Sequence, residues 1–219
     1  VLVAMSGCIL TVNAQQSFSY KNPLLPTELR VNDLLGRMTL EEKIAQIRHL
    51  HSWDVFDGQI LNQEKLDKMC GGIGYGFFEG FPLTAASCRK TFREIQTYMV
   101  EKTRLGIPGF PVAESLHGVV HEGTTIYPQN IAMGSTFNPE LAYEKTKHIA
   151  GELNTMGVKQ VLAPCIDVVR DLRWGRVEES FGEDPFLVSR MGVSQVRGYL
   201  DNQVSPMIKH FGAHGAPQG

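Results

Sequence analysis

The chain has 219 residues, of which 42% are hydrophobic and 20% are charged, and its formal net charge is −2. These proportions are typical of a soluble globular protein. A charge so close to neutral gives no electrostatic basis for binding nucleic acid or an anionic membrane surface. The length allows one large domain or two small ones.

The first residues are predicted to be the remnant of an export signal, residues 1–14, ahead of a domain over residues 15–219. Residues 1–12 are apolar and small, and Val12-Asn13-Ala14 fits the small-x-small rule for signal-peptide cleavage. Neither Met nor a basic segment precedes them, so we expect the chain to begin within a leader. A short buried strand or helix is the alternative. We predict an exported protein, periplasmic or extracellular.

The four cysteines bear on membrane attachment and on redox state. Cys8 follows Met5-Ser6-Gly7 in a pattern that resembles a lipoprotein cleavage site. We expect contact with a membrane only if Cys8 carries a lipid. Cys70, Cys88 and Cys165 are scattered, and their spacing is not that of a metal site. We expect buried thiols that pack as small hydrophobic residues. A disulfide between Cys70 and Cys88 is compatible with an oxidising compartment, but nothing in the sequence requires it.

Two helices are predicted in the first half of the chain. Thr39-Leu40-Glu41-Glu42 has the spacing of a capping box, and the pattern predicts a helix from there to about His51. Apolar residues at helical spacing predict a second helix over residues 87–104. The residues expected to face the core are Leu40, Ile44 and Ile47 in the first helix and Phe92, Ile95 and Met99 in the second.

Two further helices begin at Asx-Pro pairs. Asn138-Pro139 offers an N-cap followed by a first-turn proline, and a helix through Met156 is expected to follow. Asp184-Pro185 repeats this start signal for a helix that runs to about Leu200.

Short apolar runs alternate with these helices, at residues 72–78, 110–113, 158–166 and 204–208. Continuous rather than alternating hydrophobicity is typical of buried parallel strands, so the rhythm indicates an α/β architecture. A doubly wound sheet and a (β/α)8 barrel share this local pattern, and periodicity does not choose between them. Gly71-Gly72-Ile73-Gly74 lacks a following helix start, which disfavours a dinucleotide cofactor. We predict no cofactor.

Three of the predicted strands end in ionisable side chains. Glu114 follows the second run, Asp167 follows the third, and Lys209-His210 follows the fourth. In a barrel the carboxyl ends of the strands meet on one face, where convergent polar groups usually mark a site. The alternative is that each residue begins a solvated loop. Three such endings favour a site.

Three motifs then follow in order: Glu114-Ser-Leu-His-Gly118, residues 171–185 (D-L-R-W-G-R-V-E-E-S-F-G-E-D-P) and Lys209-His-Phe211. Together with residues 34–46 they resemble the N-terminal domain of glycoside hydrolase family 3, the β-glucosidase and β-xylosidase group. The likeness covers roughly residues 20–219. It implies a (β/α)8 TIM-like barrel, of which this chain would hold about the first half to two-thirds.

The resemblance also implies an activity and a set of site residues. Members of the family hydrolyse β-linked sugars with retention, so we expect release of glucose or xylose from the non-reducing end of oligosaccharides or from aryl glycosides. Glu114, Arg176, Lys209 and His210 match the residues that hold the sugar next to the scissile bond. Many members have Asp at the position of Glu114, and the longer side chain predicts a different grip on the outer hydroxyls.

The catalytic carboxyl groups are expected outside this chain. In the family the nucleophile is an Asp on a later barrel strand and the acid/base usually lies in a following domain, so both would lie beyond Gly219. We therefore assign no catalytic residue, and we expect the segment by itself to be inactive. No metal site is predicted, and the sequence does not indicate an oligomeric state.

Residues 167–185 concentrate ionisable side chains around Trp174. Trp174 could offer an apolar face to a sugar ring, but core packing beneath the loop is the favoured interpretation. The loop's other charged residues are expected to form internal ion pairs and caps rather than to bind a ligand, and these are Arg173, Glu178, Glu179 and Asp184.

The sequence offers four alternative functions. His117 and His121 with Glu122 are superficially like a zinc helix, but Gly118 disfavours a helix and the H-E-x-x-H order is absent. Schiff-base chemistry at Lys209 is disfavoured by the neighbouring sugar-type motifs. A carbohydrate-binding pseudoenzyme module would keep the pocket without turnover. The N-acetyl-β-hexosaminidase branch of the family is disfavoured because it carries an Asp where residues 211–216 have Ala.

Overall fold

The computed structural model describes residues 19–79, 84–212 and 214–216. The predicted export signal, residues 1–14 with Cys8, lies outside the described residues. The chain divides into two compact units, residues 1–43 and residues 44–219. None of the described helices has the length and apolar character needed to cross a membrane.

The first unit contains a 3-10 turn, Ser19–Lys21, the helix α1, Thr27–Arg37, and the beginning of α2, Leu40–Ala45. The turn is joined to α1 by hydrogen bonds: the Tyr20 N–H donates to Asp33 at 3.0 Å, and Arg30 Nε donates to the Tyr20 carbonyl at 2.9 Å.

The capping box at the start of α2 is present. The Thr39 N–H donates to Glu42 Oε2 at 2.9 Å, and the Glu42 N–H donates back to Thr39 Oγ1 at 3.3 Å. These reciprocal bonds satisfy two amides that have no partner within the helix. The predicted start of the helix is therefore confirmed.

The predicted end of this helix is wrong. The helix stops at Ala45, and residues 49–51 form the strand β1 instead. Strand pairing overrides the helical pattern here, because β1 lies in register with a parallel neighbour, for example Leu50 opposite Phe78. The expected core face is also wrong: the buried residues of the helix are Glu42 and Ala45, whereas the exposed ones include Leu40, Ile44 and, beyond its end, Ile47.

The second unit alternates strands and helices. Its elements are β1 His49–His51, α3 Ser52–Val55, β2 Phe56–Asp57, β3 Ile60–Leu61, α4 Gln63–Cys70, β4 Phe77–Glu79, α5 Ala85–Lys102, β5 Phe110–Ala113, α6 Asn130–Gly134, α7 Pro139–Met156, β6 Gln160–Val161, a 3-10 turn Val177–Glu179, α8 Pro185–Leu200 and β7 Ser205–Pro206. β2 and β3 form a small antiparallel hairpin.

The main sheet has the strand order β1-β4-β5-β6-β7, and every pairing within it is parallel. Each new strand is added on the same side of the one before it. A doubly wound sheet would reverse direction at a switch point, whereas a (β/α)8 barrel continues around one way. The predicted α/β fold of an incomplete TIM-like barrel is confirmed.

The predicted strands are present, but most are shorter than expected. β5 covers the predicted 110–113, whereas residues 158–166 give only β6 and an isolated bridge from Cys165 to Lys209. Pro164 lies in the interrupted part, where a residue without an N–H cannot continue the ladder. β4 begins at Phe77 because Gly72 and Gly74 adopt positive φ angles in a turn.

The other three predicted helices are present, and the last two begin at their predicted start signals. α5 begins two residues before the predicted position, where the Thr84 side chain accepts from the Ser87 N–H. Asn138 accepts from the Leu141 N–H at the start of α7, and Asp184 caps the first turn of α8. As expected, the buried face of α5 contains Phe92, Ile95 and Met99.

The three cysteines of the described region are free and buried. Burial raises the pKa of the Cys70 thiol to about 12 and that of Cys88 to about 11. The prediction of buried thiols is confirmed, and Cys70 and Cys88 do not form a disulfide.

Candidate functional site

The carboxyl ends of three neighbouring strands bring four polar residues together. Glu114 directly follows β5, Asp167 follows the bridge after β6, and Lys209 and His210 follow β7. Because the strands are parallel and adjacent, their ends lie at the same edge of the sheet. Arg176, from the loop after Asp167, completes the group through a contact with His210. The predicted convergence is therefore found in the structure.

Lys209 and Glu114 form the first contact of the site. Lys209 Nζ donates to both carboxylate oxygens of Glu114 at 2.9 Å. The two side chains differ in accessibility, because that of Lys209 is 10% exposed and that of Glu114 is 60% exposed. The backbone of Lys209 is fixed by bonds with Pro164 and Ile166 at 3.0 and 2.8 Å. The cation is thus held in place, and its carboxylate partner stays open to a ligand.

Asp167 is the central acceptor beneath His210. Its Oδ2 accepts from Cys165 Sγ at 3.0 Å and lies 2.7 Å from His210 Nδ1. Burial raises the pKa of Asp167, but the hydrogen bonds from Cys165 and His210 outweigh burial and leave it below its ordinary value. Asp167 is therefore ionised at neutral pH. Burial and the bond to Asp167 raise the pKa of the Cys165 thiol to about 12, so this sulfur keeps its proton.

The partners of His210 define its tautomer. Nδ1 faces the Asp167 carboxylate and must carry a proton to donate. Nε2 lies 3.2 Å from Nη1 of Arg176, and a guanidinium can only donate. Nε2 is therefore the acceptor, and His210 is assigned as the neutral Nδ1–H form.

Arg176 is fixed by a carboxylate of its own loop. Its Nε and Nη2 each donate to one oxygen of Glu179 at 2.6 Å, a fork-to-fork arrangement. The hydrogen bonds from Arg176 to Glu179 raise the pKa of the guanidinium above its ordinary value. Glu179 thus has the structural role expected of it, and the free edge of Arg176 points to His210.

The remainder of the charged loop is scaffolding. Trp174 is buried, packs against Cys165 and Val169, and meets His214 edge to face at 5.0 Å. The preference for core packing of Trp174 is confirmed. Arg173 pairs with Asp171 at 2.6 Å on the exposed side of the loop. For Glu178, which lies in the 3-10 turn, the described residues offer no ion-pair partner.

The residues of the zinc-helix alternative do not form a helix. His117 and His121 lie in a loop of turns, in which the His117 carbonyl accepts from Tyr127 and the His121 N–H donates to Val119. The described residues with ligand atoms close enough for a metal are Cys165, Asp167 and His210. Their separations of 3.0 and 2.7 Å are those of hydrogen bonds, and the protonated thiol is not a ready metal ligand.

Some parts of this site do not follow from the sequence. Asp167 is one of the three strand endings that predict the convergence, but it is not among the predicted sugar-binding residues; its position at a strand end, as for Glu114, is the signal that could find it. A cavity of about 300 Å³ next to Glu114 was not anticipated, and its walls include His51, Trp53 and Glu79 at the ends of β1 and β4. The ring of Trp53 stacks on that of His51 at 4.7 Å.

Comparison with known proteins identifies the family. The glycosyl hydrolase family 3 N terminal domain matches residues 39–219. A periplasmic β-glucosidase of Salmonella typhimurium is 31% identical over 99% of this chain and 28% of its own length. A β-xylosidase of Formosa agariphila is 43% identical over 49% of this chain and 17% of its own length.

The fold is also that of solved family members. A mutant β-glucosidase of Listeria innocua in complex with laminaribiose superposes with a TM-score of 0.72 and is 33% identical, over 88% of this chain and 27% of the other. The chain spans less than a third of the length of each of these three proteins. The family predicted from the motifs is confirmed: the chain belongs to glycosyl hydrolase family 3.

Proposed function

We propose that this chain supplies part of the sugar-binding site of a retaining glycosidase that releases β-linked glucose or xylose from the non-reducing end of oligosaccharides. The observation that carries the proposal is the contact of Glu114 with Lys209 and of Arg176 with His210 at one edge of the sheet. Relatives named β-glucosidase and β-xylosidase support the two sugars proposed.

The chemistry of these groups suits a sugar. Each hydroxyl of a pyranose both donates and accepts a hydrogen bond, so a binding site needs both kinds of partner at fixed positions. Glu114 accepts, whereas Lys209 and Arg176 donate. The exposed carboxylate of Glu114 is open to two adjacent hydroxyls.

Retention sets the remaining requirement. A retaining glycosidase uses two carboxyl groups about 5 Å apart, one as nucleophile and one as acid/base. In this proposal both come from residues that follow Gly219, and residues 15–219 form part of the barrel that binds the sugar. Positive charge on Lys209 and Arg176 would hold a nearby carboxylate ionised, as a nucleophile must be.

We also propose that the protein is exported to the periplasm or the cell exterior, with residues 1–14 as a signal remnant. The apolar start of the chain supports this, as does the periplasmic β-glucosidase among the relatives. A lipid on Cys8 would then attach the protein to a membrane, and mass spectrometry of the protein from its own cells would detect it.

The experiment uses the protein expressed with the reading frame that continues past Gly219. It is assayed on the p-nitrophenyl β-glycosides of glucose, xylose and N-acetylglucosamine. We expect kcat/KM for the first two to fall about a hundredfold in Arg176→Ala, because hydrogen bonds to a charged donor contribute about 1.5–3 kcal/mol each. Arg173→Ala is the matched control, since Arg173 lies in the same loop and is exposed; its kcat/KM should change less than about twofold.

Two results would contradict the proposal in different ways. Hydrolysis of the N-acetylglucosaminide alone would show that the proposed sugars are wrong. Binding of glucose or xylose without hydrolysis of any glycoside would be the behaviour of a carbohydrate-binding module.

A further inference from the structure

Lys145 is a buried cation that the proposed sugar site does not contact. It lies on α7, and only 5% of the residue is exposed. The contacts that the structure gives to its ammonium are all with uncharged oxygens, and no carboxylate of the described residues pairs with it. Burial lowers the pKa of Lys145 to about 8. A buried charge without a counter-charge costs free energy, so the hydrogen bonds of the Lys145 ammonium must compensate for its burial.

Three acceptors surround the ammonium group. Lys145 Nζ donates to the carbonyls of Leu116 and Pro128, each at 3.4 Å, and to Asn130 Oδ1 at 3.1 Å. An ammonium has three N–H donors, whereas a neutral amine has two donors and a lone pair. In the neutral form the lone pair would face one of these oxygens. The arrangement therefore needs the charged form of Lys145.

The first of these contacts reaches the loop that carries Glu114. Leu116 lies two residues beyond Glu114, and its carbonyl accepts from Lys145. The residue between them is held from α8, because the buried Tyr199 hydroxyl donates to the Ser115 carbonyl at 2.7 Å. The backbone after Glu114 is thus anchored to two helices.

The contact with Asn130 reaches the loop that carries Arg176. Asn130 is fully buried at the start of α6, and its Oδ1 accepts from Lys145 and from Gln195 Nε2 at 3.0 Å. With two donors on this oxygen the amide cannot turn over, so its Nδ2 faces the Glu179 carbonyl and donates to it at 3.0 Å. Glu179 is the residue whose carboxylate fixes Arg176.

Close backbone packing reinforces the connection between Asn130 and the loop that carries Arg176. A Cβ atom on Gly134, at the end of α6, would lie 2.2 Å from the Phe181 carbonyl oxygen. No side chain fits there, so α6 lies directly against the backbone two residues beyond Glu179. A movement of α6 would therefore be passed to the Arg176 loop.

We propose that Lys145 is a positioning residue that fixes the Glu114 loop and the Arg176 loop relative to each other through the hydrogen bonds of its ammonium group. It acts through Leu116, Asn130 and Glu179 and does not touch the sugar. The consequence for catalysis rests on the proposed function, whereas the mechanical role does not. Removing the ammonium should loosen both loops and weaken the fit of the sugar between them.

The kinetic test uses Lys145→Met in the protein expressed past Gly219. Methionine keeps a similar length and removes every donor. We expect KM for the preferred aryl glycoside to rise about tenfold and kcat to change less than about twofold, because displaced binding groups weaken the substrate complex. Lys145→Arg, which keeps the charge and its donors, should recover part of the loss. Lys147→Met is the matched control: Lys147 lies on the same helix, exposed, beside Glu144, and KM should not change.

Hydrogen exchange measured by mass spectrometry gives a test that does not depend on activity. In Lys145→Met, residues 115–118 and 176–182 should exchange about tenfold faster, while the remainder of α7 and α8 keeps its protection. Asn130→Ala should accelerate residues 176–182 much more than residues 115–118.

The outcomes separate the two proposals. Faster exchange in both loops of a protein that hydrolyses no glycoside would support the role of Lys145 and contradict the proposed function. Unchanged exchange and unchanged KM in Lys145→Met would overturn the role of Lys145, as would uniform loosening of the whole domain. If Lys145→Met does not fold, Asn130→Ala decides, and unchanged exchange at residues 176–182 in that variant would overturn the proposal.

Discussion

Replacing Asp167 by Asn changes the proton arrangement at the centre of the site with little change in shape. The Asp167 carboxylate accepts from Cys165 Sγ at 3.0 Å and from His210 Nδ1 at 2.7 Å. An Asn side chain has one acceptor oxygen and an NH2 group that only donates. Because both contacts are to Oδ2, the NH2 takes the place either of Oδ1, where it faces the His210 N–H, or of Oδ2, where it faces both Cys165 and His210. In the second orientation Nδ1 must become the acceptor and the proton must move to Nε2, where it meets the donors of Arg176.

The size of the effect follows from the bonds that are lost. A hydrogen bond to a charged acceptor contributes about 1.5–3 kcal/mol and one to a neutral acceptor about 0.5–1.5 kcal/mol, so both bonds weaken even where the Asn oxygen takes the place of Oδ2. In the other orientation both bonds are lost, together with the contact of His210 with Arg176 at 3.2 Å. We therefore expect a loss of about 2–3 kcal/mol, which lowers kcat/KM about 30- to 150-fold on the glycoside that the enzyme prefers.

The assay is kcat/KM on that glycoside at pH 7, and the free energy of unfolding is measured along a descending pH series. Because the folded-state pKa of Asp167 lies below its ordinary value of 3.8, the carboxylate contributes stability above the unfolded pKa. That contribution is lost as the pH falls through the folded value, and Asp167→Asn should lack this acid-side loss. Asp171→Asn is the control, because Asp171 pairs with the exposed Arg173 outside the site. A kcat/KM for Asp167→Asn within twofold of the control would refute the role given to this carboxylate.

Three further predictions concern selectivity, the loop core and pH. Glu114→Asp should lengthen the 2.9 Å contact with Lys209 and free roughly one methylene of space; the glucoside-to-xyloside ratio of kcat/KM should rise about tenfold, and an unchanged ratio would show that Glu114 does not face the difference between the sugars. Trp174→Ala should lower the free energy of unfolding by about 3–5 kcal/mol in a denaturant titration, whereas the exposed Trp53→Ala should change it by less than about 0.5 kcal/mol; equal losses would contradict the core role of Trp174. The pKa of Lys145 is about 8 in the folded chain, below its ordinary 10.5, so the unfolded chain binds more protons between these two pH values and the Lys145 contribution to stability should rise with pH there. Thermal unfolding of Lys145→Met across this range should lack the rise. The same dependence of stability on pH in the variant and in the unaltered protein would argue against a buried ammonium.

Local signals with a clear physical basis predicted their elements well. The helices that begin at Asn138 and Asp184 could be placed because a side-chain cap and a first-turn proline act within four residues. The apolar run at 110–113 likewise predicts β5 with its observed bounds. The helix predicted through His51 failed because pairing of β1 with β4 joins residues far apart in sequence, and no local pattern reports such a pairing.

The site could likewise be predicted from the sequence only in part. Convergence of Glu114, Asp167 and Lys209 could be predicted because parallel strands carry their ends to one edge. The family resemblance supplied Arg176 and His210. The sequence does not predict which side chains pair with each other. The two hydrogen bonds between Arg176 and Glu179, for example, depend on the 3-10 turn Val177–Glu179.

The pairing pattern indicates how the site would receive a sugar. Each cationic or proton-donating group already has a carboxylate: Lys209 has Glu114, Arg176 has Glu179, and His210 has Asp167. The carboxylates of the last two pairs are buried or nearly so, and desolvated pairs held by bonds of 2.6 and 2.7 Å are costly to break. Glu114 is the exception, because its side chain is mostly exposed and is screened by water. A ligand hydroxyl can therefore compete for Glu114 at the lowest cost, which makes Glu114 the group expected to adjust on binding while Arg176 and His210 stay in place.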